Sequence, residues 1–144
     1  MVAKKGKKEK DGIGSVLVRF DHPSKDLSFL SDLLGFQCFR SWIAGEPRNT
    51  PNGKLLPGTY DRSYWVSSLE FCDNATLNKQ INLAIERLSK VEEAVQELLS
   101  SGGMVVIYFQ FPGSVNIGTS IDRNNLKKMV ELGVGIDIEV FPGS

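Results

Sequence analysis

The sequence predicts an α+β fold, with a mainly antiparallel mixed sheet and helices packed on one of its faces. Three observations predict it. Stretches that alternate apolar and polar residues lie near both ends of the chain. A long stripe of apolar residues at helical spacing runs through the middle, and Gly- and Pro-rich breaks separate these segments. Alternation with period two leaves one strand face polar, which favours helices on the other face only.

The elements follow in order. At 15–21, Val16, Val18 and Phe20 fall on one side and Leu17, Arg19 and Asp21 on the other, as in a half-buried strand. His22, Pro23 and Ser24 end it. Leu27, Leu30, Leu33 and Leu34 then recur at helical spacing, and Gly35 is placed to cap a short helix over about 25–34. Residues 36–43 read as a second strand. The stretch 45–61, rich in Gly, Pro and Asn, reads as a long loop, and 64–71 resumes strand character.

Residues 75–101 carry the strongest helical pattern. Its apolar stripe includes Leu77, Ile81, Ala84, Ile85, Leu88, Val91, Val95 and Leu98. Ser89 with Glu92 fits a capping box, so two helices are expected to meet near Ser89. A hydrophobic strand follows at 104–111. Asp122 is placed to cap a third helix with Leu126, Met129 and Val130 on its buried side, and Gly133 closes it. Val134, Ile136, Ile138 and Val140 alternate with Gly135, Asp137, Glu139 and Phe141 in a final strand. The two ends of the chain echo each other: VLVRF, a helix ending in LLG and FQCFR, then VVIYF, a helix ending in ELG and VGIDIEV. A duplicated, ferredoxin-like βαβ arrangement is the expected architecture, with strand order open.

The chain of 144 residues has no net charge, but residues 1–12 carry +3 and the remainder therefore −3. We expect 1–12 to be a disordered lysine-rich tail and 13–144 a single domain. A mildly acidic body argues against nucleic-acid binding. The sequence has no run of about 18 apolar residues, so no membrane span is expected. No apolar stretch follows the leading lysines as in a signal peptide, and Cys38 and Cys72 lack metal-ligand spacing. Two buried free thiols and a cytoplasmic address are the expectation.

With those elements in place, the chain from about 15 to 141 resembles the bacterial domain of unknown function 4279 family. The residues that carry the resemblance are LLG followed by RSWIAGEPR (33–48), YWVSS (64–68), the long helical stretch 77–103, the VVIYFQF strand and LKKMVELGVGIDIEVF (126–141). Their order and spacing make the match. Gln80 and Ile81 stand where the resemblance implies a histidine. It implies a fold and no activity.

Catalytic and metal chemistry find little footing. His22 is the single histidine and is expected to be a surface turn residue, without a neighbouring nucleophile pattern. One histidine and two isolated cysteines do not make a zinc set, and Asp137 with Glu139 is explained by a solvated strand face. GVGID (133–137) follows a helix and opens a strand, the reverse of a dinucleotide-binding turn. We therefore expect no metal, no cofactor and no catalytic residue.

The segment 40–65 is the candidate binding region. It gathers Arg40, Trp42, Glu46, Arg48, Tyr60, Arg62, Tyr64 and Trp65, and Arg, Trp and Tyr are the residue types that anchor binding hot spots. The competing assignment places Trp42 and Trp65 in the core and pairs the arginines with Glu46 and Asp61. Core positions are expected for the tryptophans, an exposed surface for the arginines and Tyr60. The expected role is non-catalytic protein interaction, immunity-like by analogy. A small-molecule or anion site, or an enzyme, under the 44–63 loop is the alternative. Homodimerisation through the open sheet face, using Leu17, Val106 and Tyr108, or through the last strand's edge is a further expectation.

Overall fold

The computed structural model describes residues 14–69, 76–113 and 118–141. Seven strands and four helices are assigned there: β1 (Ser15–His22), α1 (Leu30–Leu34), β2 (Arg40–Trp42), β3 (Pro47–Asn49), β4 (Leu55–Thr59), β5 (Ser63–Ser68), α2 (Leu77–Lys90), α3 (Glu92–Ser100), β6 (Met104–Pro112), α4 (Arg123–Leu132) and β7 (Gly135–Phe141). The fold is α+β, as the alternation predicts. The lysine-rich tail and Cys72 lie outside the described residues.

The main sheet has five strands in the order β2-β5-β1-β6-β7, and β3 and β4 form a separate hairpin. β1 is central and antiparallel to both β5 and β6, β2 is antiparallel to β5, and β6 and β7 are parallel. The two βαβ units suggested by the internal echo are present but not equivalent. In the first, β5 is inserted between β1 and β2; in the second, β6 and β7 are neighbours.

One hydrophobic core joins the sheet to the helices. Val16, Val18 and Phe20 of β1, Trp65 of β5 and Val105, Ile107 and Phe109 of β6 meet Leu30, Leu34, Ile81, Ile85, Leu88, Val95 and Leu98. Register explains the division of faces: Phe20 stands opposite both Trp65 and Val105, so these three side chains share the helix side. Phe20 and Trp65 meet edge to face, with ring centroids 5.9 Å apart. The carbonyl of buried Gln80 supports the same layer, its Oε1 accepting the backbone N–H of Val16 at 2.7 Å.

Several boundaries differ from the sequence expectation, each for a local reason. The first helix is shorter than 25–34: Leu27 is buried ahead of it, and the N–H of Ser28 bonds to Asp26 Oδ1 at 2.9 Å. The strand expected over 36–43 reduces to Arg40–Trp42, since Phe36 turns into the core while Phe39 is 69% exposed. The 45–61 stretch expected as a loop contains the β3–β4 hairpin. The long helix breaks at Val91 (φ −122°, ψ 35°) with no side-chain cap, so the Ser89–Glu92 box is not used. Thr76 and Asp122 do cap their helices, accepting the N–H of Lys79 and Asn125. Gly35 and Gly133 close α1 and α4 at φ 71° and 76°, the left-handed region that glycine enters without a Cβ clash.

α4 also shows a rotated face. Met129 (2% exposed) and Leu132 are buried, whereas Leu126 is exposed and Val130 is 79% exposed. The helix packs against α2 and α3, and that direction selects a stripe one residue away from the one the pattern favours.

Candidate functional site

The open face of the sheet carries an unusual surface. Register places Arg40 beside Val66 and Trp42 beside Tyr64, then Arg19 and Asp21 of β1 beside those, and Val106 and Met104 beyond. Leu17 and Val106, expected to offer apolar contacts for a dimer, are themselves buried. Long neighbours overlie this face: the Arg19 guanidinium lies 5.1 Å from the Tyr108 ring centroid and pairs with Asp137, and Tyr108 donates to Glu139 Oε1.

At the β2 end, aromatic rings stack. Trp42 lies between Tyr60 and Tyr64, with both ring centroids at 4.3 Å and interplanar angles of 8° and 12°. Its Nε1–H donates to the carbonyl of Arg62 at 3.0 Å, and the Arg40 guanidinium stands 5.0 Å from its centroid. The core expectation for Trp42 is therefore overturned. Alternation along a three-residue strand puts Arg40 and Trp42 on the face away from the helices. Burial pushes the Tyr64 phenol above its usual 10.0, opposed by the charges of Arg19 and Arg40 and reinforced by Asp21.

The hairpin folds against this stack. Tyr60 exchanges backbone bonds with Gly45 and Glu46, and its hydroxyl both donates to the carbonyl and accepts the N–H of Asn49, at 3.1 Å each. Arg40 donates to the same carbonyl at 2.8 Å, and Arg48 donates across the hairpin to the carbonyl of Pro57 at 3.3 Å. Arg40, Trp42, Arg48 and Tyr60 thus converge on one open cleft of about 430 Å³ that also touches Asn49 and Leu56. Among the described residues, neither Arg40 nor Arg48 forms a salt bridge.

The other predicted members are elsewhere. Glu46 closes a turn, its Oε1 accepting the N–H of Ile43 at 3.0 Å. Arg62 pairs with Asp21 and donates to the carbonyl of Gly102 at 2.9 Å, and not with Asp61. Trp65 is fully buried, with Nε1–H donating to Ser31 Oγ at 3.1 Å, so it is a core residue and has no binding surface. Asn49 was not visible as a site residue: its contribution is a backbone carbonyl, which no residue pattern signals.

His22 is buried (5% exposed), not a surface turn residue as expected. Its Nδ1 accepts the N–H groups of Ser24 and Lys25 at 3.1 and 2.9 Å, which leaves Nε2–H to donate to Ser101 Oγ at 2.8 Å. Burial pushes its pKa below 6.5, helped by the charges of Lys25 and Arg62 and opposed by Asp21. Among the described residues, no three His, Cys, Asp or Glu side chains gather as a metal site would require. Cys38 is a half-buried free thiol rather than a fully buried one. No helix of the described residues is long and apolar enough to cross a membrane.

Fold and surface together define an α+β domain built on a mixed five-stranded sheet, with an arginine- and aromatic-lined cleft at one end. The chain belongs to the DUF4279 family: the family model, described as a domain of unknown function, matches residues 17–141. No curated protein and no solved structure gives a significant match to the chain.

Proposed function

We propose that the chain is a non-catalytic protein-interaction domain that grips an acidic segment of a partner protein in the Arg40–Trp42–Arg48–Tyr60 cleft. One observation carries the reading. Two arginines without carboxylate partners among the described residues flank an aromatic wall that is already stacked. Ordering such a wall in advance lowers the entropy cost of binding. Each guanidinium spends one N–H group on a carbonyl and keeps others for a bidentate carboxylate. An open cleft at the end of a sheet suits a protein surface better than a small molecule, which is usually held with most of its area enclosed.

The reading includes an immunity-like role, by analogy, in the cytoplasm of a bacterium; the free thiol of Cys38 suits the reducing compartment. A photo-crosslinking amino acid at Thr50 or Leu56, which line the cleft, tests it in cells that express the chain. We expect one covalent protein adduct, lost when Arg40→Glu and Arg48→Glu are combined. An adduct that survives the double charge reversal would refute it. A small-anion site is the second reading, favoured by the same unpaired cations. It requires that citrate or phosphate raise the melting temperature and that the double variant abolish the rise.

A further inference from the structure

The two edges of the sheet are built differently. β2, at one end, is three residues long and carries Arg40, a short charged edge of the kind that resists pairing. β7, at the other end, runs for seven residues, all exposed, with neither proline nor lysine. Its parallel pairing with β6 uses one edge of its backbone. Among the described residues no strand pairs with the other edge. Half of its N–H and C=O groups therefore face outward, a template for a further strand.

The side chains of β7 specify what would pair there. Register places Ile136, Ile138 and Val140 opposite Ile107, Phe109 and Phe111, on the helix side of the sheet. Because α4 turns its buried stripe toward α2 and α3, these three remain 41%, 66% and 56% exposed. On the open side stand Asp137, already paired with Arg19 of β1, and Glu139. The contact that engages Glu139 comes from the neutral Tyr108 hydroxyl, which leaves the carboxylate's charge unbalanced by that contact.

A second copy of the chain is a poor occupant. Two-fold antiparallel pairing of β7 with itself sets residues of the same face opposite one another. Centred on Ile138, it brings Asp137 against Glu139 twice; shifting the register by two either way sets Glu139 or Asp137 against its own copy and leaves the other acid facing Phe141 or Gly135 respectively. Like charges directly opposite are destabilising.

We propose that β7 is a strand-addition site for an extended partner segment that alternates apolar residues with lysine or arginine. The apolar set lies along Ile136, Ile138 and Val140, a cation lies against Glu139, the carboxylate that Arg19 does not already neutralise, and main-chain hydrogen bonds supply the affinity. This surface is at the opposite end of the sheet from the cleft, and the two readings stand or fall separately.

The test is fluorescence anisotropy with a labelled seven-residue peptide alternating lysine and isoleucine. Saturable binding is expected, weakened at least tenfold when glutamate replaces lysine in the peptide. Methylating alternate backbone nitrogens discriminates strand addition from loose charge attraction: one of the two methylated registers loses binding at least tenfold and the other keeps it. In the protein, Glu139→Lys is expected to weaken binding about tenfold with an unchanged circular dichroism spectrum, whereas combined Arg40→Glu and Arg48→Glu leave it unaltered. Equal binding of the lysine and glutamate peptides, indifference to both methylation registers, or no saturable binding overturns the proposal. So does sedimentation showing a homodimer that Ile138→Lys dissociates.

Discussion

Trp42→Ala is the perturbation that most directly tests how the cleft wall is held. The indole is sandwiched between two tyrosine rings at 4.3 Å and donates one hydrogen bond to the Arg62 carbonyl. Stacked aromatic pairs contribute about 0.5–1.5 kcal/mol each beyond area burial. A hydrogen bond contributes about 1 kcal/mol, and the exposed contact with Arg40 about 0.5 kcal/mol. These contributions share one ring and overlap, so we expect a net loss of about 3 kcal/mol, against the range within about 0.5 kcal/mol typical of surface positions away from such contacts. Urea unfolding followed by circular dichroism measures it, with an unchanged m-value showing that the transition keeps its character. The thermal midpoint should fall by about 6–12 °C for a chain of this size. A double-mutant cycle with Tyr60→Ala should then return about 1 kcal/mol of coupling for the stacked pair. A loss below 0.5 kcal/mol, or zero coupling, would mean that the wall is not ordered by stacking and that the cleft is not pre-shaped.

Three further outcomes are expected. His22 is held neutral in the fold, with a pKa below 6.5. The unfolded chain therefore binds more protons as pH drops, so stability should be full above pH 6.5 and decline below it toward the depressed folded value. Urea midpoints from pH 8 to 5 will show this slope, and His22→Gln should flatten it. On α4, Met129→Lys should cost several kcal/mol, as expected for an unpaired charge placed in the core, whereas Val130→Lys should change stability by less than about 0.5 kcal/mol; equal effects on urea unfolding would contradict the face assignment. Gln80→Leu should lose about 1–3 kcal/mol, because it leaves the buried Val16 N–H without its acceptor; hydrogen exchange at Val16 should quicken in parallel.

Local pattern decides some features of this fold and leaves others open. Where one strand face meets the core, alternation was decisive: Val16, Val18 and Phe20 point inward as their period of two requires. The caps at Thr76, Asp122, Gly35 and Gly133 involve neighbours within a few residues, though only the last three were recognised in the sequence. α4 was legible as a helix but not in its orientation, since Met129, Val130 and Leu132 are all apolar and only the position of α2 and α3 selects among them. The site shows the same division. Residue types pointed to Arg40, Trp42, Arg48 and Tyr60, yet nothing local separates Trp42 from Trp65. Their fates depend on which strand each joins and which side of the sheet it faces.

By itself the order of residues determined the α+β class, most of the strands and helices, and the concentration of arginine and aromatic side chains at 40–65. Those properties follow from periodicity and side-chain chemistry, both local. Tertiary structure decided that β5 is inserted between β1 and β2, that β7 lies at an edge, and that four of the candidate residues, Arg40, Trp42, Arg48 and Tyr60, meet at one cleft while Trp65 enters the core. These outcomes depend on strand pairing between distant segments, and one step in register reverses which face every side chain takes.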